Sequence, residues 1–242
     1  MKYAVQRSAL VAAAAMLSFA AAPALAEEAG PDEPTPTISV DLTLGVYSDY
    51  RFRGLSLSEK DPAFQPSLTV THKSGVYASV WGSNIADNAG DDVEVDLTLG
   101  YSGNIGNGFK LGALGVYYVY PGISSINYVE FQGSLSRDIG PANIGVLVAY
   151  SPKQDNTGNR DNAYVAVNGS VPLGSSPFTL TGSFGIEDGA FGDKKRDWSL
   201  GVTTEVKGFN LGLSYVDTAR ASRIGAGSIG KATAVFSISR TF

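Results

Sequence analysis

From Thr37 onward, apolar residues recur at every second position, the period of a strand with one oily and one wet face. In the first stretch Val40, Leu42, Leu44, Val46, Tyr50 and Phe52 share one face. Ser39, Asp41, Thr43, Gly45, Tyr47, Asp49, Arg51 and Arg53 share the other. The pattern returns in Val93/Val95/Leu97/Leu99/Tyr101 against Asp92/Glu94/Asp96/Thr98/Gly100. It returns again in Phe178/Leu180/Phe184/Ile186 and in Trp198/Leu200/Val202/Val206, each set against Thr, Ser and carboxylates. A face of Gly, Ser, Thr and charges cannot form a dry core, so it asks for water while its opposite asks for hydrocarbon.

Alternation alone also fits a water-soluble β-sandwich, and segment length separates the two. The pattern predicts twelve strands, near 39–53, 62–73, 76–84, 92–102, 108–120, 126–137, 142–151, 161–171, 177–187, 196–206, 209–217 and 231–242. Most reach the roughly ten residues that a tilted strand needs to cross a bilayer, whereas sandwich strands are typically about five or six residues long. Longer connections (54–61, 85–91, 152–160, 188–195, 218–230) alternate with short turns such as Ser74-Gly75 and Lys207-Gly208, while Pro121-Gly122 is a tighter loop. The expected fold is an all-β, antiparallel up-and-down transmembrane barrel with its long loops at one end and both termini at the other.

Composition sharpens this picture. The chain has 242 residues, 17% of them charged, with 29 Gly and no Cys. Soluble domains carry about 25% charged residues and about 7% Gly. Without Cys there is no disulfide framework or thiol chemistry, and an acidic chain (formal net charge −5) with no basic run argues against nucleic-acid binding. Residues 1–26 read as a secretory signal peptide of bacterial type: Lys2 and Arg7, an apolar run over 8–22, and Ala24-Leu25-Ala26 as the cleavage signal. Its removal would leave 216 residues with a net charge of −7. Residues 27–36 (EEAGPDEPTP) read as an acidic, Pro-rich, disordered leader, with the barrel occupying 37–242.

The last segment, KATAVFSISRTF, sets Ala234, Phe236, Ile238 and Phe242 at alternate positions. A terminal Phe on such a strand is similar to the signal read by the barrel-assembly machinery, which makes that machinery an expected partner. Arg240 interrupts the apolar face and fits a headgroup interface. Tyr50, Phe52, Tyr77, Trp81, Tyr101, Tyr150, Trp198 and Tyr215 are candidates for interfacial aromatic girdles.

Six stretches then resemble one family. Ser48–Ser56 (SDYRFRGLS) with Asp61–Gln65 (DPAFQ), Ser74–Asn84 (SGVYASVWGSN), Val93–Leu97, Tyr118–Gly122 and Asn127–Glu130 follow one another over roughly residues 45–135. They resemble the TorF-type porin family of proteobacteria, with Ser79 standing where a Gly is expected. The resemblance implies an outer-membrane barrel and a channel. It carries no substrate and no set of functional residues, and the second half matches only in its β pattern.

Candidate chemistry is sparse. The single His, His72, sits beside the Ser74-Gly75 turn and reads as interfacial. Asp92, Glu94 and Asp96 step along one strand face at about 6.5–7 Å, too far apart to converge on calcium. Gly103–Gly108 precedes a strand, so its glycines form a turn and cradle no phosphate. No catalytic, metal or cofactor site is expected. What remains is electrostatic: Asp41, Asp49, Arg51, Arg53, Glu94, Asp96, Glu130 and Glu205 are candidates to face the lumen and set selectivity, with Lys73 nearby. They serve either as a charged filling that stiffens the barrel or as a solute path; the acidic excess hints at cations, whereas Arg51 and Arg53 together would make an anion-attracting constriction. Lys194-Lys195-Arg196 is either a solvated loop cluster or a contact to lipopolysaccharide phosphates. The reading is an outer-membrane channel for small polar or charged solutes, with lipid and lipopolysaccharide as surroundings. A non-conducting structural or adhesive barrel and a barrel enzyme are the alternatives, and a secreted soluble β-protein is the rival fold.

Overall fold

The computed structural model describes residues 36–88 and 91–242; the expected signal peptide (1–26) and all but the last residue of the expected acidic leader (27–36) lie outside the described residues. Fourteen strands follow in chain order: β1 Ile38–Tyr47, β2 Arg51–Phe52, β3 Leu55–Ser56, β4 Ala63–His72, β5 Val76–Asn88, β6 Asp91–Gly106, β7 Phe109–Val119, β8 Tyr128–Ile139, β9 Ala142–Ser151, β10 Asn162–Pro172, β11 Phe178–Gly189, β12 Lys195–Val206, β13 Phe209–Ala219 and β14 Thr233–Thr241. Twelve of them, β1 and β4 to β14, pair antiparallel with their chain neighbours into a closed barrel. β1 meets β4 on one side and β14 on the other, with Thr43 opposite Thr241 and Tyr47 opposite Ser237. Leu42 and Phe242 exchange both backbone hydrogen bonds (3.1 and 2.9 Å), so the last residue locks the seam. Closure leaves no open edge, which hydrocarbon would penalise by several kcal/mol per unpaired backbone group.

The period-2 pattern is read out directly. Every barrel strand turns at least one large apolar side chain outward, among them Val40, Leu42, Leu44 and Val46 on β1, Leu99 on β6, Val165 and Val167 on β10, and Leu200 on β12. Tyr101, Tyr150 and Tyr215 also face out. The inner face changes along its length. At the end carrying the short turns and the strand termini, lumen-facing Ser39, Asp41, Lys110 and Glu205 are exposed; at the long-loop end, the lumen-facing side chains are buried.

The expected first strand, 39–53, is cut short. β1 ends at Tyr47, and residues 48–57 turn into the barrel as a small hairpin in which β2 pairs with β3, Arg51 opposite Ser56 and Phe52 opposite Leu55. The two-residue turn between them, Arg53-Gly54, has φ of +43° and +82°, the conformation required to match the twist of a tight hairpin. Glycine adopts it freely, and a Cβ on Gly54 would sit 2.7 Å from the Asp197 Cβ. Arg53 holds it at a cost of about 1 kcal/mol or more. Tyr50 and Phe52, expected on the lipid face, are therefore inside. Alternation could not reveal this, because a chain that reverses keeps its period while changing what each face meets.

Candidate functional site

The hairpin builds a continuous polar layer across the long-loop end of the lumen. Asp49 begins it: Oδ2 receives Arg51 Nε at 2.6 Å, and Oδ1 receives the Ser56 hydroxyl at 2.6 Å. Arg51 Nη1 donates to the carbonyls of Gly54 (2.9 Å) and Ile229 (3.1 Å), tying the turn to the loop after β13. Ser58 Oγ accepts the Tyr50 amide at 2.9 Å, and the Ser56 amide reaches the Ile229 carbonyl at 2.9 Å. Above the hairpin, Leu55 packs with Ala221, Ala226, Ile224 and Ile229 of that same loop, an apolar cap over a charged centre.

Arg53 is the centre. Its Nη2 meets Glu130 Oε1 at 2.6 Å and its Nη1 meets Glu187 Oε1 at 2.7 Å, from β8 and β11 on the barrel wall. Its guanidinium carbon lies 4.4 Å from the Tyr164 ring and 4.5 Å from the Phe52 ring, geometry that adds cation–π attraction. Burial works against the guanidinium charge, but Glu130 and then Glu187 hold it protonated well above the ordinary arginine range.

Around it the wall forms a connected hydrogen-bond network. Glu187 also takes Lys195 Nζ at 2.9 Å and Asn162 Nδ2 at 2.9 Å. Lys195, completely buried, donates to the Arg53 carbonyl as well and stands 3.9 Å from Asp197, which receives the Tyr164 hydroxyl at 3.0 Å. On the other side Gln132 donates to Glu130 at 3.0 Å. Glu94 accepts the hydroxyls of Tyr50 and Tyr120, both at 3.3 Å. Tyr118 stacks on Tyr128 at 4.4 Å between ring centroids, and Tyr50 tilts against Trp81 at 5.4 Å.

Of the eight expected lumen residues, six converge here: Asp49, Arg51, Arg53, Glu94, Asp96 and Glu130 are all buried at this level. Asp41 and Glu205 face the same lumen at its open end, away from the cluster. Glu187, Lys195, Asp197, Asn162 and Tyr164 complete the site without having stood out in the sequence. Their signal was the polar phase of β10 to β12, which places Glu187, Lys195 and Asp197 inside. Lys195 therefore does not belong to an exposed Lys194-Lys195-Arg196 cluster, because strand alternation turns it inward while Lys194 and Arg196 face out. Trp81 packs inside against Tyr50, and the Tyr77 ring lies against lumen-facing Gly100, so neither joins an outer girdle. His72 lies at the turn end and pairs with the Ser74 hydroxyl at 2.8 Å. Among the described residues no three His, Asp or Glu side chains converge as metal ligands would.

The layer closes the lumen. Glu94, Glu130, Lys195 and Tyr120 are each 0% exposed, although they stand on β6, β8, β12 and just beyond β7. A twelve-stranded barrel is wider than the eight-stranded kind that wall side chains fill unaided, and the hairpin makes up the difference.

Among solved structures, the NanC porin shares 13% identity with this chain at a TM-score of 0.56, covering 84% of this chain and 99% of that one. The KdgM porin shares 8% (TM-score 0.54; 84% and 97% covered), and the COG4313 outer membrane channel from Pseudomonas putida F1 shares 12% (TM-score 0.52; 88% and 98% covered). At such identities the likeness is one of fold: a closed barrel of the outer-membrane porin kind. No curated protein matches the chain. Residues 28–242 match one family along their whole length, and the chain belongs to it: the family described as "Bacterial protein of unknown function (Gcw_chp)".

Proposed function

We propose that this protein is an outer-membrane channel for small polar or charged solutes, closed at rest by its own first long loop and non-enzymatic. The observation that carries the reading is the chemistry of the closure. A barrel filled only for rigidity is best filled with apolar side chains, because burying an ion costs several kcal/mol and apolar replacements of buried ion pairs are often neutral or stabilising. Here the inserted hairpin brings Asp49, Arg51 and Arg53 to a wall bearing Glu94, Asp96, Glu130, Glu187, Lys195 and Asp197. A charged plug is also a releasable one. When it leaves, each ion regains hydration that offsets the lost pairs, whereas an apolar plug would expose hydrocarbon to water. The TorF-type resemblance of residues 45–135 and the fold shared with porins support the same reading.

Orientation follows from it, with the long loops outside the cell, the termini and short turns in the periplasm, and Phe242 available to the barrel-assembly machinery. The outward Lys194 and Arg196 remain candidates for lipopolysaccharide phosphates. Planar-bilayer recording tests the channel. The native protein is expected to open briefly and rarely, while a protein whose residues 49–61 are replaced by a two-residue turn conducts steadily. The graft is geometrically open, since Tyr47 and Ala63 are already paired across β1 and β4. If the shortened protein keeps the heat-modifiable gel shift of a folded barrel yet passes no current, the barrel is structural and the channel reading is wrong.

A further inference from the structure

We infer that the pocket now filled by the Arg53 guanidinium is a recognition site for a solute cation of the guanidinium class, and that such a solute opens the barrel by taking the place of Arg53. The inference deepens the channel reading above and rests on it for the opening step. The binding step stands on the geometry of the pocket.

That pocket has the parts a guanidinium receptor needs. Two carboxylates, Glu130 and Glu187, accept its two terminal nitrogens at 2.6 and 2.7 Å from different sides. The Tyr164 ring supplies a flat face at 4.4 Å. Such planar, forked recognition combined with stacking distinguishes a guanidinium from an ammonium. The receptor groups lie on wall strands β8, β10 and β11 and are braced there independently of the hairpin: Gln132 bonds Glu130, Asn162 and Lys195 bond Glu187, and Asp197 fixes the Tyr164 hydroxyl. A wall braced in this way persists when the hairpin departs.

Two further observations point to an external ligand. Glu130 Oε2 is buried and accepts no hydrogen bond among the described residues, so the site holds more acceptor capacity than Arg53 uses. Charge also favours a cation. With the hairpin withdrawn, the described wall at this level carries Glu94, Asp96, Glu130, Glu187 and Asp197 against Lys195 alone. Arg53 meanwhile occupies the site at a backbone cost, being held at φ +43°. A free solute bears no such strain, which lowers the threshold for exchange. On its outward side the hairpin is covered by the Leu55 cap and the loop after β13, while Tyr50 and Phe52 pack in a cluster that Ile126 and Phe191 adjoin.

The test uses methylguanidinium, the Arg53 head group alone, with methylurea as its neutral isostere. Titration calorimetry of the folded Arg53→Ala barrel in detergent micelles is expected to show saturable binding of methylguanidinium and none of methylurea. In Arg53→Ala/Glu187→Gln the affinity should fall at least tenfold. Should Arg53→Ala fail to fold, the same titration on the hairpin-shortened barrel decides, because it retains Glu130, Glu187 and Tyr164. Absent binding, or binding of both probes alike, overturns the inference. In bilayers, methylguanidinium should block the shortened channel and raise the opening frequency of the native one, and methylurea should do neither. Conduction without any effect of methylguanidinium removes the receptor and leaves the channel; specific binding in a silent barrel removes the channel and leaves the receptor.

Discussion

Glu187→Gln is the perturbation that should loosen the plug most cleanly. The side chain keeps its size but loses the charge shared by three donors: Arg53 Nη1 at 2.7 Å, Lys195 Nζ at 2.9 Å and Asn162 Nδ2 at 2.9 Å. Removing one partner of a buried ion pair typically costs about 3–5 kcal/mol. The lower end applies here, because Arg53 keeps Glu130 at 2.6 Å and Lys195 keeps Asp197 at 3.9 Å. Withdrawal of the hairpin relieves both remaining cations by hydrating them, so most of the loss falls on the docked state. At about 1.4 kcal/mol per tenfold, a 3 kcal/mol loss raises the undocked population roughly a hundredfold. Hydrogen exchange reads this directly at the amides of Ser56 and Leu57, which donate to the carbonyls of Ile229 and Tyr50. Those amides should exchange roughly a hundredfold faster in the variant by this estimate, while ladder amides of β12 and β13 stay at native rates. Unchanged hairpin exchange would refute the assignment of Glu187 as the main anchor. Equal acceleration throughout the barrel would show that Glu187 supports the wall and not the plug.

Gly54→Ala acts on the backbone of the same device: at φ +82°, with its new Cβ against Asp197 and Thr218, it should cost more than about 1 kcal/mol and speed hairpin exchange without shifting the folded gel band. Tyr164→Phe removes the hydroxyl bond to Asp197 but keeps the ring under Arg53; because that bond joins two wall residues in the docked and undocked states alike, it should lower barrel stability by about 1.5 kcal/mol while hairpin exchange relative to the ladder stays near the native value, and methylguanidinium binding in the Arg53→Ala background should persist. Leu200→Arg places a charge at the middle of the outward face of β12, where it should cost about 2–4 kcal/mol and reduce folding into vesicles, whereas lumen-facing Thr203→Arg on the same strand should fold normally.

How much of this was legible in the sequence depends on the range of the interaction. Twelve crossing strands could be read because each bilayer strand declares itself in ten residues, with side chains alternating between two solvents. β8 to β13 fall within two or three residues of their expected spans for that reason. The inward phase of Glu94, Asp96 and Glu130 followed in the same way. The error at Tyr50 and Phe52 has a definite cause. Residues 50–53 continue the alternation of β1 in phase, and the reversal at Arg53-Gly54 does not stand out when Arg53 continues the polar face. Lys195 was hidden by its neighbours: beside Lys194 and Arg196 it looks like one more surface cation.

The sequence by itself determined the barrel, since periodicity, segment length and the alternation of long and short connections are local properties that hydrocarbon and water sort independently of one another. Only the tertiary structure decided that the lumen is closed and by what. Arg53 meets Glu130 and Glu187 across 77 and 134 residues of chain, and no local pattern encodes pairings at that distance. They exist because closing the barrel sets three strands around one point, and because a charge brought into that dry space must find its partners there.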